Sequence, residues 1–238
     1  MYKLLILFSF GLFAHLSSIA QSKEDSLEKL FVVTTSMLNK SIVESTTYLQ
    51  RKAQTDKTNA TLYANLSSAL DRITSLSFTC LNNLRKMMES PKNNNVVKGY
   101  LKEFRNYAYL LNQAVLSEKP ENFRQTLVFV DEDLNLKYDG ALASSSDQSP
   151  TLVKVHVRVF DSTGSRELAG YKVFIKPEKS VDPDLVEQLN PTIRAEKMIL
   201  PGRKLIWIEN KGVKIDQRTE GIRKSSVPPD PIDFVVKQ

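Results

Sequence analysis

Residues 152–175 read LVKVHVRVFDSTGSRELAGYKVFI and contain two stretches in which apolar side chains recur at every second position. Four valines alternate in the first stretch, and Tyr171, Val173 and Ile175 alternate in the second. A period of two is typical of half-buried strands. Residues 161–164, DSTG, favour a turn between them, because Asp and Ser start turns and Gly tolerates a positive φ. We therefore predict two strands that fold back on each other as the first hairpin of a sheet structure.

The apolar period is different before this hairpin. Leucines and other apolar residues recur at steps of three and four through residues 26–138, which predicts three or four amphipathic helices. These begin near Ser26, Asn59, Val96 and Pro120, and polar or proline-containing breaks separate them. Short connections between amphipathic helices favour an antiparallel, up-and-down bundle over residues 22–138.

A change of composition separates this helical segment from the strands. Residues 139–150 are small and polar without a period, as in an interdomain linker. Residues 200–212, LPGRKLIWIENKG, predict a strand that ends in a tight turn, and residues 232–236 predict a terminal strand. The fold class that follows is a two-domain α+β protein, in which a helical bundle precedes an Ig-like or transthyretin-like β-sandwich at residues 151–238.

The first twenty residues have the pattern of a secretory signal peptide. Lys3 precedes an apolar run at residues 4–13, and the small residues Ser18 and Ala20 suit cleavage after Ala20. An uncleaved membrane anchor is the alternative, but the apolar run is shorter than the roughly 20 residues of a span. We expect a periplasmic or secreted protein with no transmembrane segment once the leader is removed.

Cysteine content and charge narrow the possible functions. A single cysteine, Cys80, excludes an intramolecular disulfide, and its place on an apolar helix face predicts a buried hydrophobe. The net charge of +6 is small, and the cations are spread along the chain. This distribution argues against a nucleic-acid partner.

The residues that catalysis requires are scarce. His15 leaves with the leader, so His156 is the single histidine of the mature chain, between Lys154 and Arg158 on the polar side of a strand. Phosphate-binding glycine loops and the usual zinc ligand sets do not occur in the sequence. We expect no metal, no cofactor and no enzymatic activity. A hydrolase that uses paired carboxylates is a third, weaker alternative, because such residues meet only in space.

One acidic segment resembles the start of a calcium loop. Residues 131–135, DEDLN, place oxygen ligands at alternate positions, but Leu136 and Leu142 stand where such a loop has glycine and glutamate. We interpret the segment as a solvated helix face.

The last third of the chain resembles the carboxypeptidase-regulatory-like and transthyretin-like domains of bacterial envelope proteins. The similarity lies in residues 159–164 (VFDSTG), 168–173 (LAGYKV) and 200–207 (LPGRKLIW). The resemblance implies a β-sandwich that serves as an accessory or binding module, and it supplies no catalytic residues.

Besides the hydrolase, two non-catalytic functions remain open. The first is a non-catalytic envelope protein that acts as a protein-binding or scaffolding module for an unknown envelope partner. The alternative is a carbohydrate- or peptide-binding accessory module, whose platform is Trp207 or the loop at residues 177–191. Because Trp207 lies in the middle of a strand between two isoleucines, we expect it in the sandwich core. The candidate ligand or partner surface consists of Trp207, Phe160, His156, Arg158 and Phe174.

Overall fold

The computed structural model describes residues 23–138, 152–189, 193, 195–223 and 230–236. The predicted signal peptide and linker lie outside the described residues. Three or four helices were expected in the N-terminal part, and four are present. They run over Lys23–Thr55 (α1), Ala60–Met87 (α2), Asn94–Leu116 (α3) and Pro120–Lys137 (α4). None of the helices in these ranges has the length and apolar character that a membrane span requires.

The helices surround one apolar core. α1 packs beside α2 and α3, and α4 packs beside the same two helices. Arg85, in the last turn of α2, pairs with Glu28 near the start of α1 at 3.6 Å, so these helices are antiparallel. Arg51 near the end of α1 pairs with Glu118, just after α3, which makes α1 and α3 parallel neighbours. Deeply buried apolar side chains of this core include Leu38, Leu49, Leu70, Ile73, Leu84, Tyr100, Leu101, Phe104, Leu111, Phe123 and Leu134.

Seven strands form two sheets in the described C-terminal part. They are Val153–Phe160 (β1), Lys172–Pro177 (β2), Glu187–Gln188 (β3), Ala195–Ile199 (β4), Gly202–Asn210 (β5), Val213–Ile222 (β6) and Ile232–Val235 (β7). One sheet has the order β4-β1-β7, and the other has the order β3-β2-β5-β6. β1 and β7 are parallel, and every other pairing is antiparallel. The buried residues of both sheets form a single second core.

The predicted first hairpin is wrong. β1 pairs with β4 and β7, whereas β2 belongs to the other sheet. The turn itself forms, since the Gly164 amide donates to the Asp161 carbonyl at 2.9 Å, but the chain then crosses to the second sheet. Both strands have one apolar face, and that face meets the same core from either sheet. The alternation therefore predicts strands without selecting their partners.

The tight turn between β5 and β6 is confirmed. Asn210 pairs with Val213 across a two-residue loop, in which Lys211 and Gly212 have φ values of 50° and 80°. Positive φ at both positions is the conformation of the hairpin turn whose twist matches the flanking strands.

The corner between β4 and β5 joins the sheets to the helices. Leu200 packs against the helical core, opposite Gly99 of α3, where a Cβ would lie 2.9 Å from the leucine side chain. Gly202 follows with a φ of 126°, and a Cβ there would lie 2.5 Å from both Asp133 Oδ1 and Lys137 Nζ on α4. The corner needs glycine at this position for conformation and for space.

Gly202→Ala tests the corner, with Gly164→Ala as its matched control. Gly164 also has a positive φ, of 71°, but a Cβ there would meet nothing within 4 Å. We expect the control to lower the free energy of unfolding by about 1–2 kcal/mol through backbone strain alone. Gly202→Ala should cost about 3–5 kcal/mol, because the methyl group must displace buried, paired charges. Equal losses in chemical denaturation would contradict this role of the corner.

Cys80 is fully buried on α2, as the sequence predicts. Burial raises the pKa of its thiol to about 12, although the Lys137 ammonium acts in the opposite direction. We expect the native protein to react with a water-soluble disulfide reagent orders of magnitude more slowly than the protein in denaturant, because the thiolate is the reactive form. Rapid stoichiometric labelling of the native thiol would show that this part of the helical core opens readily.

Candidate functional site

Four charged side chains and one tyrosine meet where the helices contact the sheets. The Lys137 ammonium lies 2.8 Å from Glu103 and also binds Asp133, which accepts a hydrogen bond from Tyr107. Lys204 of β5 donates to Glu103 at 2.7 Å. Lys137 is fully buried, and Glu103, at 4% exposure, is the most exposed of the five. We call these five residues the junction cluster.

The interpretation of residues 131–135 as a solvated helix face is wrong for Asp133. Its carboxylate is buried and also accepts a hydrogen bond from the backbone amide of Arg203. The neighbouring acids are used differently, because Asp131 binds Arg72 at 2.6 Å and Glu132 binds Arg203 at 2.5 Å. The sequence feature that indicates this ion pair is the four-residue spacing of Asp133 and Lys137, since it places both side chains on one helix face.

Asp133 and Lys137 keep their charges inside the junction cluster. Burial alone would raise the pKa of the Asp133 carboxyl, but the ammonium groups of Lys137 and Lys204 and the hydrogen bonds it accepts hold that pKa below its usual range. Burial would likewise lower the pKa of Lys137, but Asp133 and Glu103 outweigh it and raise that pKa above its usual range. The pKa of the Tyr107 hydroxyl lies well above its ordinary value. Burial is the largest cause, and the negative charge of Asp133 is the next.

All five side chains of the junction cluster are buried, and the cavity of about 40 Å³ that reaches Glu103 and Lys204 has room for little more than a water molecule. The two ammonium groups of the junction cluster contact the carboxylates of Asp133 and Glu103, and Asp133 also accepts a hydrogen bond from the backbone of β5. Within the described ranges, no group of three or more His, Cys, Asp or Glu side chains is placed to hold a metal ion. The contacts of the junction cluster attach α3 and α4 to β5.

Lys137→Met should be strongly destabilising. It removes the ammonium that both Asp133 and Glu103 contact, and leaves those carboxylates buried. We expect the free energy of unfolding to fall by about 3–5 kcal/mol, as for the loss of one partner from a buried ion pair. Lys154→Met is the control, because Lys154 forms an exposed pair with Glu196 at 2.7 Å. That change should cost about 0–1 kcal/mol, and equal losses would contradict the account.

The directions of these pKa shifts give the pH range over which the junction cluster contributes to the free energy of unfolding. Since the folded pKa of Asp133 lies below the ordinary value of 3.8, its contribution is present above about that pH and is lost as the pH falls through the folded pKa. Since the folded pKa of Lys137 is above 10.5, its contribution is present below that pH and is lost as the pH rises further.

Comparing wild type with Asp133→Asn tests this range. The difference in free energy of unfolding should be constant between about pH 5 and pH 9 and should shrink in acid below about pH 4. Chemical denaturation at a series of pH values measures it. A difference that changes near neutral pH, or that persists unchanged in strong acid, would contradict the assignment of charges.

Trp207 is not in the core, so that prediction is wrong. Ile206 and Ile208 are fully buried on one side of β5, and Trp207 is partly exposed on the other. It stacks on Phe174 of β2, with the ring centroids 5.2 Å apart and the planes at 14°. The alternation of β5 already separated the tryptophan from the isoleucines, and the fully buried isoleucines show which side faces the core.

Three rows of side chains cross this outer face of the four-stranded sheet. The central row contains Gln188, Phe174, Trp207 and Gln217, one residue from each strand. A second row contains Lys172, Glu209 and Lys214, and a third contains Lys176, Leu205 and Thr219. We call the surface formed by these rows the aromatic face. The Trp207 indole donates to Glu209 at 2.9 Å, and the Lys214 ammonium lies 5.4 Å from the Trp207 ring centroid.

The other three candidate residues lie on the outer face of the three-stranded sheet. His156, Arg158 and Phe160 are partly exposed at successive outward positions of β1. Arg158 makes two hydrogen bonds to Asp233, at 2.6 and 2.7 Å, and its guanidinium lies 5.1 Å from the Phe160 ring centroid. His156 Nδ1 lies 3.9 Å from Glu196. The structure therefore divides the five candidates between two outer faces instead of forming one site.

Comparisons with protein-family models, with curated proteins and with solved structures found no match for this chain.

Proposed function

We propose that this chain is a non-catalytic binding protein of the cell envelope. The signal-peptide pattern of residues 1–20 supports export. The buried position of the junction cluster supports a structural role for the residues that most resemble a catalytic group. Two sheets around one core, in a 3 + 4 arrangement, support an Ig-like or transthyretin-like sandwich of the kind that envelope proteins use as accessory domains.

The observation that carries the proposal is the stacked pair of Phe174 and Trp207 on an outer sheet face. Aromatic rings are costly to leave at a surface unless they stabilise the sheet or meet a ligand. As a cross-strand pair the two rings stabilise the sheet by about 0.2–1 kcal/mol. Flat aromatic surfaces with polar groups beside them also suit sugar rings, whose faces are apolar and whose edges carry hydroxyls. The ligand we propose is a carbohydrate chain that lies on the aromatic face.

A protein-binding or scaffolding role is the second function. It is favoured by the attachment of the helices to the sheets, which would let the helical part engage an envelope partner while the aromatic face stays in a defined orientation. The contacts of Arg203 support that attachment, because it pairs with Glu132 of α4 at 2.5 Å and with Glu178 at 2.6 Å. In this role the aromatic face would contact an extended peptide instead of a glycan.

Substitution of the aromatic face tests the proposal. The protein is titrated with neutral and acidic oligosaccharides and with extended peptides, by calorimetry and by Trp207 fluorescence. We expect an oligosaccharide to bind, and Trp207→Ala or Phe174→Ala to lower its affinity about 5- to 150-fold, if sugar stacking is worth the roughly 1–3 kcal/mol of a base stacked on an aromatic side chain.

Phe160→Ala is the matched control, since Phe160 is a partly exposed aromatic residue on the opposite outer face. It should bind as the wild type does. Loss of binding in the control with retention in Trp207→Ala would move the site to the three-stranded sheet. Binding of peptides alone would support the second function.

A further inference from the structure

We infer that the carbohydrate on the aromatic face is acidic, with carboxylate groups on its sugar rings. This inference rests on the proposed function, and it adds the charge of the ligand. It comes from three lysines that surround the aromatic pair, Lys172, Lys176 and Lys214, with Glu209 as the acidic residue among the rows of this face.

Lys172 and Lys214 stand at the two ends of one row, with Glu209 between them. Both lysines are exposed. Glu209 accepts a hydrogen bond from the Trp207 indole, so its carboxylate is drawn toward the ring. Two lysines around one glutamate leave a net positive charge on this side of the aromatic pair. A ligand carboxylate placed there would be attracted by both ammonium groups.

Lys176 lies on the opposite side of the aromatic row and is partly exposed. Its ammonium donates to the Ser180 carbonyl at 3.0 Å, which holds it beside the sheet without neutralising its charge. The positive charge is therefore present on both long sides of the row. A sugar chain lying along the row could direct carboxylates to either side, as alternating rings of a polymer do.

The ends of the aromatic row carry amides. Gln188 lies opposite Phe174, and Gln217 lies opposite Trp207. The side-chain oxygen of Gln217 already accepts a hydrogen bond from Lys214. The Gln217 NH2 group and the Gln188 amide remain to bind hydroxyl groups, because glutamine both donates and accepts hydrogen bonds. At about 4.8 Å between strands, a row of one residue from each of four strands extends roughly 14 Å, the length of a short oligosaccharide.

The outer face of the three-stranded sheet lacks this charge pattern. Its cations Lys154 and Arg158 are paired with the carboxylates of Glu196 and Asp233, at 2.7 and 2.6 Å. A positively charged surface next to partly exposed aromatic rings is thus a feature of the aromatic face. This difference makes Lys154 a suitable control position.

The test compares acidic oligosaccharides with their methyl esters. Oligogalacturonate, oligomannuronate and oligoglucuronate are titrated by calorimetry, and each is paired with the fully esterified form, which keeps the rings and removes the charge. We expect at least one acid to bind about three- to tenfold more tightly than its ester, with the difference falling as salt is added. The double variant Lys172→Gln/Lys214→Gln should abolish that difference, and Lys154→Gln should preserve it.

The outcomes separate this inference from the proposed function. Equal binding of acid and ester that Trp207→Ala abolishes would overturn the acidic ligand and leave a neutral-glycan site. Binding of none of the acids would overturn the inference, and binding of no sugar in the wider panel would overturn the proposed function as well. Tighter binding of a single-stranded oligonucleotide or of polyglutamate than of any uronate would overturn it too, since stacking and positive charge also suit those polymers.

Discussion

Charge neutrality at the junction between helices and sheets is the constraint on which the rest of the structure depends. The helical part supplies two carboxylates, Glu103 and Asp133, and one ammonium, Lys137. The sheet part supplies the second ammonium, Lys204, and the backbone amide of Arg203. A buried carboxylate without a partner is costly, so the helical part can bury these groups at low cost only when β5 is in place. The charges of each part are neutralised by charged groups of the other.

β5 contacts the junction cluster with one face and forms part of the candidate binding surface with the other. Alternation along the strand sends Lys204, Ile206 and Ile208 inward, and Arg203, Leu205 and Trp207 outward. The inward residues contact the junction cluster at one end and the sheet core beyond it. Trp207 lies three residues from Lys204, or about 10 Å along the strand. The aromatic face is therefore built on a strand whose position is determined by buried contacts on its other side, as a preformed binding surface requires.

Local patterns predicted the elements, but not the contacts between them. Periods of three to four predicted three or four helices, and the period of two predicted most of the strands. Residues 210–212 predicted the turn between β5 and β6. The partner of β1 could not be predicted, because an apolar strand face fits either sheet around a shared core. Asp133 was placed in solvent because it stands in a run of acidic residues. Its partner, the backbone amide of Arg203, is distant in sequence. Trp207 was assigned to the core by its neighbours, although the alternation of the strand sends it the opposite way.

Equilibrium unfolding followed by two probes tests most directly whether the junction cluster unites the two parts. Far-UV circular dichroism reports mainly on the four helices, and fluorescence of the single tryptophan, Trp207, reports on the sheets. We expect one coincident transition in the wild type, and separate transitions in Lys204→Met, which removes the charge that the sheet contributes. Two separate transitions in the wild type, or coincident ones that Lys204→Met leaves unchanged, would contradict the account.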